Sequence, residues 1–298
     1  MYEFVKDYRD KDSLRDSFNC LAEETFGLNF EHWYQAGFWS DDYNPHSVVD
    51  CDTGRIVANV SVNRMEFLVN GRKKLFIQLG TVMTDKAYRG QGLSRRLMEW
   101  VLEEWEEKAD GIYLFANDTV LDFYPKFGFS RAEEYQHVRR MENPAARDLT
   151  AEQSKCCACK VSLETVSDWQ DFAARVSTYR TQGSFAVNNR GLLMFYATSF
   201  MKDCIYYLEE LDAYVIAELD GDVLILHDIY ARGKTSPEEA SAFFGTEIRK
   251  LVLGFTPEET ADYDCLLYRE EDTTLFVKGA DLEYFSEDKK RFPVLSHA

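Results

Sequence analysis

The stretch LGTVMTDKAYRGQGLSRRLM at residues 79–98 predicts a strand, a tight turn and the start of an amphipathic helix. The turn contains Gly90 and Gly92, and glycine lets the backbone approach a ligand closely. Both glycines stand at the mouth of the predicted helix. There, free N–H groups and the positive end of the helix dipole favour an anion such as a pyrophosphate. The stretch therefore predicts a site for a phosphorylated ligand.

The spacing of this turn excludes two common phosphate-binding motifs. A Walker loop requires Gly-x-x-x-x-Gly-Lys followed by Ser or Thr, and the turn has neither this spacing nor the lysine. A dinucleotide fingerprint requires a third glycine three residues after Gly92, where this chain has Arg95. The pattern that remains is Arg89-x-x-Gly92-x-Ser94.

This pattern resembles motif A of the GNAT N-acetyltransferases, Arg/Gln-x-x-Gly-x-Gly/Ala, with Ser94 in the place of the last small residue. A second signature lies downstream, where an apolar strand pattern ends at Asn117 and is followed by Phe123-Tyr124-x-x-x-Gly128-Phe129. It is similar to the family's strand-ending asparagine and its helix with Phe-Tyr-x-x-x-Gly-Phe. Because both order and separation agree, residues 1–141 resemble a GNAT domain.

The resemblance implies acetyl-CoA as the cofactor and an α+β fold with a mixed, mostly antiparallel sheet flanked by helices. It implies that backbone N–H groups of the turn hold the pyrophosphate and that the strand before it pairs with the pantetheine arm. Asn117 is expected either to contact that arm or only to satisfy the hydrogen-bonding groups at the end of its strand. A backbone N–H near Val82 would stabilise the oxyanion, an effect commonly worth ~3 kcal/mol. The expected cofactor contacts are Val82, Met83, Thr84, Arg89, Gly90, Gln91, Gly92, Leu93, Ser94 and Asn117.

The same resemblance makes Tyr124 the expected general acid. The ordinary pKa of a phenol, ~10, is close to that of an alkyl thiol, so proton delivery to the leaving thiolate is nearly balanced. The alternative is that Tyr124 packs in the core beside Phe123. The predicted reaction is direct attack of a primary amine on the thioester in a ternary complex.

The general base is less clearly indicated. Some GNAT relatives use a glutamate on the fourth strand, but residues 75–79 of this chain contain no acid. Glu66, on the preceding predicted strand, is one candidate. The other is the carboxylate of Ala298, because the tail at residues 290–298 is unusually apolar for a free end and is expected to dock.

An aromatic stretch occupies the loop that shapes the acceptor site in this family. Aromatic faces interspersed with Asp41 and Asp42 suit an ammonium ligand, which predicts a small cationic amine as the acceptor. Packing in the core is the alternative for each aromatic residue. A non-catalytic acyl-CoA-binding sensor and a protein or peptide N-acetyltransferase are the competing functions. The predicted substrate-binding residues are Trp33, Tyr34, Phe38 and Trp39.

The composition restricts the partners. The chain of 298 residues has 34 basic and 52 acidic residues and a formal net charge of −18, so it repels nucleic acid. The N-terminus lacks the basic and apolar regions of a signal peptide, and no apolar run approaches ~18 residues, which predicts a cytoplasmic protein without a membrane segment. Cys156-Cys157-x-Cys159 has no second ligand pair at zinc spacing, so no metal is expected. A homo-oligomer is compatible with these features.

The order of predicted elements indicates two halves. Residues 141–149 have the composition of a linker, which predicts a catalytic domain at 1–145 and a second domain at 146–298. The second half repeats the order of helix, hairpin strands, helix and strand, with a helix from Ser236-Pro237 to about Val252 and a closing strand at 273–278. It lacks a Gly-x-Gly turn. The chain is thus similar to the enhanced-intracellular-survival acetyltransferases, which pair an active with a degenerate GNAT domain and add a third domain for which 298 residues leave no room. An unrelated α+β domain is the alternative.

Overall fold

A computed structural model describes residues 1–141 and 157–297 of the chain. It is an α+β protein with two mixed, mostly antiparallel sheets. The strands in chain order are β1 Tyr2–Val5, β2 Tyr43–Asp50, β3 Arg55–Val69, β4 Arg72–Thr84, β5 Gly111–Ala116, β6 Ser130–Arg131, β7 Glu134–Arg140, β8 Cys159–Lys160, β9 Arg180–Thr181, β10 Phe185–Asn188, β11 Ile205–Leu208, β12 Ala213–Asp220, β13 Val223–Ala231, β14 Lys250–Leu253, β15 Asp264–Tyr268 and β16 Thr274–Lys278. The helices are α1 Asp12–Phe26, α2 Glu31–Gln35, α3 Leu93–Trp105, α4 Val166–Val176, α5 Arg190–Thr198 and α6 Pro237–Ser241.

The strand, turn and helix predicted for residues 79–98 are confirmed as β4 and α3. The helix α3 buries one face, formed by Leu93, Leu97, Met98, Val101 and Leu102, in a core shared with β3, β4 and β5. Since these positions recur with helical spacing, the acidic residues of α3 fall mostly on the opposite, solvent-exposed face. The packing fixes the start of α3 beside the end of β4.

Each sheet contains a strand from the other half of the chain. The first sheet has the order β1-β2-β3-β4-β5-β16-β6, so the late strand β16 pairs with β5. The second has the order β15-β7-β14-β13-β12-β11-β8, so the early strand β7 lies between β15 and β14. In addition, β10 pairs with the C-terminal end of β3, at residues 66–69. The predicted boundary at residues 145 and 146 lies outside the described residues and stays a prediction, as does most of the predicted linker.

A parallel pair of strands opens into a wedge in each half. In the first, β4 and β5 pair in parallel only from Phe76 and Gly111 to Gln78 and Tyr113. In the second, β13 and β14 pair in parallel from Val223 and Lys250 to Leu226 and Leu253. Beyond these points no further pairs form between the two strands among the described residues, and a gap is left between them.

The gap in the second half is filled by the chain's own tail. The N–H of Val294 donates to the carbonyl oxygen of Gly254 at 3.1 Å, and the Arg291 guanidinium donates to that of Leu253 at 3.3 Å. A Cβ at Gly254 would lie only 3.0 Å from Cα of His227 and 3.1 Å from the side chain of Val294. The wedge of the second half therefore has no room for a ligand arm of the kind predicted for the first.

Two predicted helices are wrong in extent. The helix expected from Ser236-Pro237 to about Val252 ends at Ser241, and a short 3-10 turn follows to Phe244. Gly245 then takes a φ of 98°, and Lys250–Leu253 is the buried strand β14. The helix expected around Tyr124 is two 3-10 turns, Asp118–Val120 and Tyr124–Phe127. Pro125 has no N–H to continue an α-helical ladder there.

Candidate active site

The turn before α3 presents an uncapped helix N-terminus. Gly90 and Gly92 have φ values of 77° and 76°, in the left-handed region that favours glycine. Gly92 is the N-cap residue of α3 and offers no side chain to the first-turn N–H groups. A Cβ at either glycine would meet nothing within 4 Å, so the space above the turn is open. These features fit a pyrophosphate bound through backbone N–H groups.

Side chains around the turn hold it against the end of β4. The hydroxyls of Ser94 and Thr84 are 2.6 Å apart, and Nε of Arg89 donates to the carbonyl oxygen of Thr84 at 3.3 Å. Gln91 accepts a hydrogen bond from Tyr2 at 2.6 Å. Leu93 is buried in the core below α3, so only its backbone is available to a ligand. The turn is thus fixed before any ligand binds.

The gap between β4 and β5 forms a cleft of about 530 Å³ that continues from this turn. Seven of the residues predicted from sequence line it together, and the remaining four cofactor-binding positions, residues 90–93, lie on the adjoining turn. The seven lining residues are Val82, Met83, Thr84, Arg89, Ser94, Asn117 and Tyr124.

A β-bulge in β4 lies on the wall of this cleft. Ser61 of β3 pairs with Gly80 and Asn59 pairs with Met83, so Thr81 and Val82 have no partner residue on β3. Thr81 has a φ of 41°, an unusual value for a β-branched residue. Its carbonyl oxygen accepts a hydrogen bond from the Asn59 amide at 2.9 Å. The bulge therefore leaves Thr81 and Val82 without a register partner on β3, and both residues line the cleft.

Tyr124 lines the same cleft with its hydroxyl unengaged. Its ring is 4% exposed and packs against Phe129 and Phe276, with centroids 6.2 Å and 5.6 Å away. Burial raises the pKa of Tyr124 to about 12. Among the described residues, none accepts a hydrogen bond from this hydroxyl. The phenol is therefore protonated at neutral pH and available to donate.

Asn117, at the end of β5, is engaged by the second half of the chain. Its amide donates to the carboxylate of Asp272 at 3.0 Å, and the N–H of Asp118 donates to the same carboxylate at 2.7 Å. Asp272 lies in the loop between β15 and β16. This contact satisfies the end of β5, one of the two roles predicted for Asn117, and the residue also lines the cleft.

The tail of the chain reaches the wall of the cleft. The His297 ring stacks on Phe115, a cleft residue, with centroids 3.7 Å apart. The carbonyl oxygens of Ser296 and His297 accept hydrogen bonds from Tyr113 at 2.8 Å and Tyr196 at 2.6 Å. Burial lowers the pKa of His297 to about 3, so the ring is neutral. Ala298 lies outside the described residues, and its predicted role as a base stays a prediction.

Glu66 lies away from the cleft. On β3 it pairs with Leu75, four residues before Leu79, the first residue of β4 that lines the cleft. Its carboxylate forms an ion pair with Lys73 at 3.0 Å, and this hydrogen bond lowers the pKa of Glu66. The structure does not bring Glu66 together with Tyr124.

The predicted substrate-binding aromatics divide into two groups. Trp33 lines a narrow cavity of about 40 Å³ next to the bulge at Thr81. Phe38 and Trp39 are buried in the aromatic core and do not line this cavity. Tyr34 donates to Asp10 at 3.0 Å, and the Arg15 guanidinium lies over its ring. The cavity is also lined by Phe30, Asp42, Tyr43, Asn63 and Phe195.

Sequence reasoning missed most of this cavity. Asp42 lies in the aromatic stretch, where the sequence indicates its charge but not its place in a cavity. Asn63 is a buried polar residue within a buried strand, which is a signal that could have been used. Phe195 comes from α5 in the second half, and nothing in the sequence links it to Trp33. Its ring lies 5.9 Å from that of Trp33, so the second half helps to form the cavity.

The fold is similar to that of solved acetyltransferases over almost the whole chain. The GCN5-related N-acetyltransferase from Kribbella flavida is 17% identical, with a TM-score of 0.55 over 94% of this chain and 71% of that one. A probable N-acyltransferase of unknown function from Enterococcus faecalis V583 is 13% identical, with a TM-score of 0.57 over 93% and 72%. Eis1 from Mycobacterium abscessus is 13% identical, with a TM-score of 0.54 over 92% and 72%. The predicted tandem architecture is confirmed at the level of the fold.

Sequence comparison gives a family match within the first half. No curated protein matches the chain in sequence. In residues 1–141 and 157–297, no helix is long and apolar enough to cross a membrane. The model of the acetyltransferase (GNAT) domain matches residues 9–132, which include the turn, the cleft and Tyr124. Over residues 9–132 the chain is therefore similar to the GNAT acetyltransferase domain, in agreement with the motifs in its sequence.

Proposed function

We propose that the protein transfers an acetyl group from acetyl-CoA to the primary amine of a small cationic molecule, with Tyr124 as the general acid. One observation carries the proposal. The open wedge between β4 and β5 has the unengaged phenol of Tyr124 and the unpaired bulge at Thr81 and Val82 on its walls. A proton donor and oxyanion-stabilising N–H groups are two requirements of acyl transfer from a thioester.

In this proposal the backbone of the turn at residues 89–94 binds the pyrophosphate, and Val82–Thr84 align the pantetheine arm. Bound acetyl-CoA supplies the activated acyl group. An N–H of the bulge stabilises the negative charge on the acyl oxygen during transfer. Tyr124 donates its proton to the leaving sulfur. Although burial raises the pKa of Tyr124 to about 12, the same apolar surroundings raise the pKa of a thiol, which supports a balanced transfer.

The narrow cavity beside the bulge supports a small acceptor. Its mostly apolar wall includes Trp33, Tyr43 and Phe195, with Asp42 also among the lining residues, and aromatic faces near an acidic residue suit an ammonium group. The nearest cation to this carboxylate is Arg64, at 3.8 Å, which is a loose ion pair. About 40 Å³ holds the amine end of a ligand but not a folded peptide. The cavity therefore favours a small molecule over a protein substrate.

For the general base we favour the carboxylate of Ala298 over Glu66. Glu66 is held by Lys73 outside the cleft. By contrast, His297 stacks on a wall of the cleft, so a protein whose last residue is Ala298 would bring a carboxylate to its edge. A carboxylate there would take a proton from the bound ammonium, and the neutral amine would then attack the thioester carbon.

The test is amine-dependent release of CoA thiol, measured with a panel of small amines on the full chain and on Tyr124→Phe. We expect kcat to fall by about 100-fold or more, because general acid catalysis is lost, while the Kd for acetyl-CoA changes less than about twofold. Tyr135→Phe, in which the lost hydroxyl bonds only to Glu133, is the matched control and should retain full activity.

Other outcomes would favour the competing functions. Tight acetyl-CoA binding without thiol release for any amine would favour a sensor. Release with peptides but not with small amines would favour a peptide N-acetyltransferase. Equal kcat in Tyr124→Phe and the unmodified chain would contradict the role of Tyr124.

A further inference from the structure

A second, larger cavity of about 640 Å³ lies where the two sheets meet. Its walls come from both halves, namely from β3, β4, β9, β10, β13, α4 and α5. It shares no lining residue with the cleft between β4 and β5. Part of its lining is apolar and buried, formed by Val176, Val187, Leu193, Tyr230 and Leu295. Such a surface can hold the carbon skeleton of a ligand.

The rim of this cavity is basic, in contrast to the chain as a whole. Five cationic side chains line it, against the two carboxylates of Glu66 and Glu258. The chain has 52 acidic and 34 basic residues, so a local excess of positive charge is unexpected by chance. The cationic lining residues are Lys73, Arg180, Arg190, Arg232 and Lys234.

Two of these cations have no ion-pair partner among the described residues. Lys73 pairs with Glu66 at 3.0 Å, Lys234 with Glu258 at 2.7 Å and Arg232 with Asp212 at 3.0 Å. Within the described part of the chain, no carboxylate lies within 4.0 Å of the Arg180 or Arg190 guanidinium groups. A planar guanidinium binds carboxylate and phosphate groups with two parallel hydrogen bonds. These arginines are therefore free to bind an anion.

The start of α5 adds to the positive potential. Asn189 caps this nine-residue helix, and both Asn189 and Arg190 line the cavity. The first turn of a helix carries a partial positive charge, which favours an anion at its N-terminus. The free guanidinium groups and the helix start thus line the same cavity from different elements, Arg180 from β9 and Arg190 from α5.

We propose that this cavity binds a small organic anion with two or more carboxylate or phosphate groups, held by Arg180 and Arg190 above an apolar floor. The anion is either the acidic end of an acceptor or a separate small molecule. Both sources share the same chemistry of recognition.

Calorimetry on the full chain tests this site, with citrate and inorganic pyrophosphate as probes. The titrations are run with and without saturating CoA, so that the phosphate turn before α3 is occupied in one series. We expect binding that persists with CoA and weakens with added NaCl. In the double variant Arg180→Ala/Arg190→Ala, the affinity for each probe should fall by about tenfold or more. Arg269→Ala, which removes an exposed arginine that does not line the cavity, should bind like the unmodified chain.

The absence of heat with both probes, or equal affinity in the double variant and the unmodified chain, would overturn the proposal. An unchanged melting temperature and CoA affinity of the double variant would show that it folds. These binding measurements need no turnover, so they fail or succeed independently of the proposed acetyl transfer. Once an amine substrate is known, competition of citrate with that amine assigns the anion to the acceptor, and binding without a change in KM assigns it to a separate ligand.

Discussion

The ring of His297 stacks on the ring of Phe115, with centroids 3.7 Å apart and planes at 24°. Phe115 belongs to β5 and lines the cofactor cleft, whereas His297 ends the segment that fills the wedge of the second half. The tail is therefore bound at two places, by β14 in one half and by β5 in the other. His297, the last residue that the structure describes, therefore lies beside the site of the proposed reaction.

Removing residues 297 and 298 should lower kcat by about 100-fold or more while the Kd for acetyl-CoA changes less than about twofold. The reason is that the proposed base is lost, whereas the phosphate turn is untouched. Thiol release and calorimetry measure the two effects. His297→Phe keeps the stacking and the backbone, so this control should remain active. Normal turnover in the shortened protein would rule out a base in the tail.

Gly92→Ala should weaken CoA binding, by about tenfold, because the new methyl group stands in the open space above the turn. Gly54→Ala is the matched control, since Gly54 has a φ of 70° and an equally open surrounding but lies in the β2–β3 hairpin. Both variants should lose about 1 kcal/mol of unfolding free energy from backbone strain. Urea unfolding and CoA calorimetry separate strain from lost binding. Equal CoA affinity of both variants would contradict the assignment of the turn.

Asp42→Asn should raise the KM for a cationic amine by about fivefold with little change in kcat, because it removes a charge from the narrow cavity beside Thr81. Asp41→Asn is the control. Its carboxylate pairs with Arg9 at 2.8 Å and does not line the cavity. Steady-state kinetics at fixed acetyl-CoA would measure both. If both substitutions changed KM equally, a general field effect would explain the result better than a local contact.

The local elements were predictable where one segment determines its own structure. The glycine turn, the strand before it and the start of the amphipathic helix α3 follow from residues 79–98 alone and are confirmed. The pairing partners of a strand were not predictable. Alternation of apolar and polar residues indicates that a segment is a strand, but it does not indicate which sheet the strand joins. Thr274–Lys278 was expected in the second half and lies in the first sheet.

The candidate site shows the same limit. Residues of the cleft come from two neighbouring segments, and sequence identified them because a family motif spans both. Phe195 helps to line the acceptor cavity, and Asp272 binds the end of β5. Both residues come from the second half. Long-range packing brings them there, so no local pattern could indicate them. Phe38 and Trp39 are aromatic residues of the kind found at binding surfaces, but both are buried in the hydrophobic core.

Asp228→Asn should reduce the dependence of stability on pH between about 4 and 7. Burial raises the pKa of Asp228 to about 7, so the folded protein binds this proton more tightly than the unfolded chain does. Its contribution is complete below the ordinary pKa and is lost as the pH rises towards 7, at ~1.4 kcal/mol per pKa unit. Urea unfolding at pH 5 and pH 8 measures the difference. Asp220→Asn, at an exposed strand end, should leave the slope unchanged, and equal slopes in all three proteins would refute the assignment.

The exchange of β7 and β16 between the sheets has a consequence for how the molecule can be divided. A fragment that ends after β7 would lack β16, the strand that pairs with both β5 and β6 in the first sheet. Its partner fragment would lack β7 between β14 and β15, so each piece would expose hydrogen-bonding edges that attract other chains. The two halves should therefore melt in a single cooperative transition. A chimaera in which one half is replaced by that of another protein would need a replacement that supplies the strand, β7 or β16, that the retained half lacks.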